Sequence, residues 1–126
     1  MAGEPELAPL YAALAERGIR VAMPVVVERR HPLRFVAWQP GDAVARDASG
    51  TMAPASRSAF VQPDAVIAPC LGYTDSKLRL GYGGGYFDRT LAQSPRPLAV
   101  GVAYAMAKVA FAADDYDVPL DDIITD

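Results

Sequence analysis

Leu78-Arg79-Leu80-Gly81-Tyr82-Gly83-Gly84-Gly85-Tyr86-Phe87-Asp88-Arg89 puts four glycines within five positions, with rings on both sides and an arginine toward each end. Asp88 stands just past the last ring. Glycine reaches backbone conformations that a side chain forbids, and it lets another group approach the main chain. Guanidinium groups supply permanently charged, fixed donors that match phosphate oxygens. The acid beside them is placed to hold a divalent cation. Read from its residues, the run is a nucleotide-phosphate loop. It is not the G-x-G-x-x-G dinucleotide pattern, because position 86 is Tyr, and no Gly-Lys-Ser/Thr of the Walker type follows. A glycine turn that only packs a helix onto a sheet is the plainer alternative. The polar groups gathered around the glycines favour phosphate.

The flanking sequence reads as a βαβ unit. Ala65-Val66-Ile67-Ala68-Pro69 is short, apolar and β-branched, as expected of a buried central strand. Tyr86 to Ala92 begins a helix, Pro95 and Pro97 end the connection, and Leu98 to Ala103 is a second apolar strand parallel to the first. Sixteen residues, Cys70 to Gly85, separate the first strand from its helix. Connections of that length inside a compact domain are commonly functional. This one leaves the carboxyl end of a parallel strand, where open α/β sheets bind ligands, and leads to a helix N-terminus that favours anions.

Upstream, Leu7, Leu10, Tyr11 and Leu14 share one face of a helix expected over Glu4 to Arg17, with Gly18 as its stop. Ile19 to Met23 reads as a strand closed by Pro24, and Leu33 to Trp38 as the next strand. Gln39 to Gln62 has no sustained period and reads as an irregular excursion, with a short extended piece near Ala43 to Ala45. The acidic segment from Asp114 ends in an edge strand at Ile123-Ile124-Thr125. The expected fold is a three-layer αβα domain of the α/β class, with a mostly parallel sheet and helices on both faces.

With 126 residues, 52% hydrophobic and 21% charged, the chain fits one soluble domain with a real core. A formal charge of −3 gives no electrostatic case for nucleic acid. Cys70 is the sole cysteine and His31 the sole histidine, which excludes an internal disulfide and Cys/His metal clusters. Cys70 reads as a small buried hydrophobe and His31 as an exposed turn residue. Trp38 reads as core or pocket wall. The N-terminal residues lack a signal-peptide pattern, and the apolar stretch Leu98 to Ala113 is broken by Gly101 and Lys108. No membrane partner is expected, and the cytoplasm is the expected location.

The loop closely resembles the signature of the 5-formyltetrahydrofolate cyclo-ligase (methenyltetrahydrofolate synthetase) family. The resemblance extends to Gly18-Ile19-Arg20-Val21-Ala22-Met23-Pro24-Val25-Val26, Leu33 to Trp38, Pro63 to Pro69, Val100 to Tyr104 and Asp117 to Asp121. It implies ATP along Arg79, Leu80, Gly81, Tyr82, Gly83, Gly84, Gly85, Tyr86 and Phe87, with Arg79 as the catalytic cation nearest the transferred phosphoryl group. Tyr82, Gly83, Gly84, Gly85 and Tyr86 would also face the folate. Asp88 and Asp117 would hold Mg2+. Glu4 would hold the pterin, although it reads equally as a carboxylate at a positive helix end. Asp117, apart from the resemblance, reads as a solvated acid.

The implied reaction makes the formyl oxygen on N5 a leaving group by phosphorylation from ATP. N10 then attacks the same carbon, and 5,10-methenyltetrahydrofolate, ADP and phosphate are the products. Positioning and charge neutralisation carry such chemistry, so no Cys or His nucleophile is required. The chain differs from the usual pattern at Ala53-Pro54 (Glu-Pro), Ala107 (Gln), Tyr116-Asp117 (His-Asp) and Gly84 (Lys in part of the family). It also reads as a single cyclo-ligase-like domain over 1–126 without the family's N-terminal helix and strand. Two other readings follow from these differences. One is a catalytically degenerate module of the same fold that binds nucleotide or folate. The other is a homo-oligomer that covers the exposed sheet edge.

Overall fold

The computed structural model describes residues 5–81, 84–112 and 117–126. They fall into two compact units, one made of Glu6–Pro63 and the other containing Asp64–Asp126. The class is α/β, as expected. Parallel pairing is confined to the second unit, and the strand pairs of the first are antiparallel.

In Glu6–Pro63, helix α1 spans Ala8–Glu16. The face of Leu7, Leu10, Tyr11 and Leu14 is its least exposed side, as the spacing predicts. The helix begins later than Glu4, with Pro9 in its first turn and the Ala8 N–H donating to the Glu6 carboxylate at 2.9 Å. Gly18, at φ +74°, carries the chain out of it.

Strands β1 (Ala22–Val25), β2 (Arg34–Ala37) and β5 (Phe60–Val61) form one antiparallel sheet in the order β1-β2-β5. Pro24 lies inside β1, opposite Phe35, rather than closing the strand. A proline lacks the ladder donor, and an edge strand such as β1 tolerates that loss. Val25, Val36 and Ala53 pack together beneath Phe60.

The expected irregular excursion contains a hairpin, β3 (Val44–Arg46) against β4 (Met52–Pro54). Its turn is organised by Asp47. One carboxylate oxygen accepts the N–H groups of Ser49 (2.9 Å) and Thr51 (3.1 Å) and the Ser49 hydroxyl (2.8 Å). The other accepts the Val26 N–H at 2.9 Å, which ties the turn to the end of β1. Partial burial of Asp47 pushes its pKa up, but these donors outweigh it and hold the group below its ordinary 3.8.

In Asp64–Asp126, β6 (Ala65–Pro69), β9 (Leu98–Ala103) and β10 (Asp122–Thr125) form a parallel sheet in the order β10-β9-β6. The middle strand is therefore β9, not β6. Strand β6 buries Val66 and Ala68, while Ala65 and Ile67 are exposed. Alternation shows that only one of its faces meets the core. Helix α2 (Tyr86–Leu91) contributes Leu91 to a core of Ala68, Cys70, Ala99, Ala103 and Leu120. Cys70 is fully buried, as its reading predicts. Gly101 is required by close approach, since a Cβ there would lie 2.7 Å from Leu120 Cδ1 and 3.0 Å from Cys70 Sγ.

Candidate functional site

The long connection after β6 is largely a second hairpin, β7 (Gly72–Tyr73) against β8 (Arg79–Leu80). Its turn is built by Thr74, whose Oγ1 accepts the Leu78 N–H at 3.1 Å. Lys77 takes the left-handed conformation at φ +67°. The exposed Lys108 ammonium pairs with Asp75 at 2.6 Å, and that carboxylate raises the Lys108 pKa. Pairing Tyr73 with Arg79 brings Arg79 back to the carboxyl end of β6.

There the Arg79 guanidinium is held twice. Its Nε and Nη2 donate to the Pro69 carbonyl at 2.9 and 2.7 Å. Its Cζ also lies 4.2 Å from the centroid of the Phe87 ring, a cation–π distance. A Cβ on Gly81 would collide with Arg79 Nη1, so the guanidinium as placed lies in the space a side chain there would take. A Cβ on Gly84 would stand 2.7 Å from the Tyr86 ring. Gly85, at φ +70°, turns the chain into α2. Arg89 reaches back to donate to the Gly84 carbonyl at 2.8 Å. Leu80 is exposed.

The structure thus brings Arg79, Gly81 and Phe87 into contact at one end of the loop, and Gly84, Tyr86 and Arg89 at the other. Tyr82 and Gly83 lie outside the described residues, as does Glu4. Helix α2 has six residues, too few aligned peptides for much of a dipole. The anion-attracting groups here are therefore arginines.

Asp88, in the first turn of α2, accepts the Val118 N–H at 3.0 Å through Oδ1. That contact ties the backbone next to Asp117 to the first turn of α2. Among the described residues, no group of three His, Cys, Asp or Glu side chains is placed to hold a metal. Magnesium keeps several of its waters and commonly uses one or two carboxylates with phosphate oxygens, so a carboxylate such as Asp88 has the donor chemistry it takes. Both the Pro69 carbonyl and the Val118 N–H are backbone atoms from distant segments. Neither can be found from the loop motif.

The sequence profile of the 5-formyltetrahydrofolate cyclo-ligase family matches residues 1–126. The chain belongs to this family. A 5-formyltetrahydrofolate cyclo-ligase of Haemophilus influenzae is 30% identical over 130 residues, covering 97% of this chain and 70% of that protein. One from Mycoplasma pneumoniae is 44% identical over 66 residues, covering 52% of this chain. This chain spans 40% of that relative's length. The structure of Aquifex aeolicus 5,10-methenyltetrahydrofolate synthetase superposes with a TM-score of 0.71 at 26% identity, covering 97% of this chain and 62% of that one. No described helix of this cyclo-ligase family member is long and apolar enough to cross a membrane.

Proposed function

We propose that this chain performs the ATP-driven cyclisation of 5-formyltetrahydrofolate to 5,10-methenyltetrahydrofolate, releasing ADP and phosphate, in the cytoplasm. The observation that carries this reading is the Arg79 guanidinium, fixed by Pro69 and Phe87 and lying against the main chain at Gly81.

In this reading Arg79 has its orientation set before substrate arrives, which lowers the entropic cost of meeting a phosphoryl oxygen. Gly81 and Gly84 let the Arg79 guanidinium and the Tyr86 ring lie close to the loop main chain, where a polyphosphate would meet them, and Arg89 keeps the Gly84 end of the loop drawn to α2. Asp88 and Asp117 would hold Mg2+, which when bound neutralises phosphate charge. Tyr86, with Tyr82, Gly83, Gly84 and Gly85, would face the folate, and Glu4 would take the pterin. Each of these contacts acts by position and charge, as phosphoryl transfer requires.

The test is a single mixture of protein, 5-formyltetrahydrofolate, ATP and Mg2+, followed by the absorbance of the methenyl product. A rise that Arg79→Ala abolishes supports the enzyme. Thermal stabilisation by ATP and Mg2+ without product would instead identify the degenerate binding module. Silence in both assays, with an oligomer on sizing, would favour the third reading.

A further inference from the structure

The unit Glu6–Pro63 carries a cavity of about 340 Å³ that the proposed reaction does not use. Val26, Val27 and Phe60 supply its apolar lining, and Arg46 and Arg57 its charge. A third guanidinium, Arg34, stacks on the Phe60 ring at 3.8 Å. Arg57 Nη1 is closed off from solvent and has no hydrogen-bond partner among the described residues. Arg46 donates to the Gly50 carbonyl at 2.8 Å, a neutral acceptor. None of the ion pairs among the described residues includes Arg34, Arg46 or Arg57.

One acid, Asp47, lies on the cavity wall. Its two oxygens already receive the Val26, Ser49 and Thr51 N–H groups and the Ser49 hydroxyl. It is committed to the hairpin turn and is outnumbered by the cations around it. A guanidinium held partly out of water without a counter-charge is unfavourable, and an oxyanion relieves that cost with charge-assisted, often paired, hydrogen bonds. The cavity volume is at the small end for ligand sites and suits a single ring.

We propose that this cavity binds a small organic oxyanion, with carboxylate or phosphate oxygens on Arg46 and Arg57 and an apolar body against Val26, Val27 and Phe60. The site is separate in sequence from the glycine loop and does not depend on its activity.

Titrating the intact protein at low salt with benzoate, phenyl phosphate, inorganic phosphate and benzamide tests this by thermal midpoint. The expected result is a saturable rise with benzoate or phenyl phosphate, and none with benzamide. The preferred probe of the two names the head group. Arg57→Met and Arg46→Met should each weaken the apparent affinity by about tenfold or more. Arg79→Ala should leave it unchanged, which separates this site from the loop. In 15N-labelled wild-type protein the same probe should move the Nε–H resonances of Arg46 and Arg57, a readout that needs no variant to fold. The proposal is overturned by the absence of saturation, by inorganic phosphate matching phenyl phosphate, or by still resonances for both arginines. Equal affinity in Arg57→Met, or loss in Arg79→Ala, overturns it as well.

Discussion

The two compact units handle their chain ends in opposite ways. In Asp64–Asp126 the strands β6, β9 and β10 are parallel, so their carboxyl ends gather on one side and long connections must leave from there. The carbonyl of Pro69, the last residue of β6, is taken by the Arg79 side chain rather than by another strand. In Glu6–Pro63 the pairs are antiparallel, and the β3–β4 turn satisfies itself through Asp47. Parallel construction therefore leaves polar main chain and loop residues facing one edge, where chemistry can be assembled. Antiparallel construction spends its polar side chains on closing turns.

The sharpest way to break that contrast is to remove the group that links strand end to loop. Arg79→Ala should lower turnover by about 10²–10³-fold, the size expected for one preorganised electrostatic stabiliser, while the circular dichroism spectrum is retained. A variant with wild-type turnover would show that the parallel edge is not where the reaction occurs.

Next in size is the core beneath that edge. Leu91 is buried against Ala68, Ala99 and Ala103. Leu91→Ala should cost about 2–5 kcal/mol in denaturant unfolding, the range for a truncated core leucine. A cost below about 1 kcal/mol would mean that α2 is not anchored by packing.

In the antiparallel unit the corresponding experiment is Asp47→Ala, expected to cost about 1–2 kcal/mol because the turn N–H groups lose their acceptor. The sign of its pH dependence follows from the lowered pKa. The contribution of Asp47 is fully present above 3.8, its unfolded value, and is lost as pH falls through the lower folded value. The stability gap between wild type and variant should thus be flat near neutrality and shrink in acid. A gap that widens in acid contradicts the hydrogen-bonding scheme.

The smallest effect is expected at the tip of the β7–β8 hairpin. Lys108 and Asp75 are exposed on both sides of their ion pair, with side-chain exposures of 54% and 86%. Solvent-screened pairs of this kind contribute little. Asp75→Asn should leave the thermal midpoint unchanged within error, and a measurable drop would make this pair part of the loop's anchoring.

Much of the α/β unit was legible. The strands at Ala65–Pro69 and Leu98–Ala103 are where their apolar runs place them, because the core-facing positions of each strand must be apolar. The helix after the glycines begins at Tyr86, as read. The short extended piece expected near Ala43 to Ala45 is β3, but neither its pairing with β4 nor the β7–β8 hairpin was legible. Val44–Arg46 is exposed at all three positions, so no hydrophobic alternation marks it as a strand. Its signal was the turn, Asp47-Ala48-Ser49-Gly50-Thr51, in which the acid takes the local N–H groups and Gly50 adopts φ +84°. Strands β7 and β8 have two residues each, below any usable period. The cavity between Arg46 and Arg57 was invisible for the same reason, since its walls come from segments assigned no regular structure.

What the amino-acid order determined by itself is local. It specifies which segments are apolar enough to be strands, where glycine frees the main chain, and which residue types could meet a phosphate. Hydrophobic period and backbone sterics act between near neighbours, so they can be read along the chain. Tertiary structure alone decided that β9 is the middle strand, that Pro69 orients Arg79, and that the Val118 N–H meets Asp88. Those pairings depend on backbone donors and acceptors that are the same at almost every residue, and only the fold selects which of them meet.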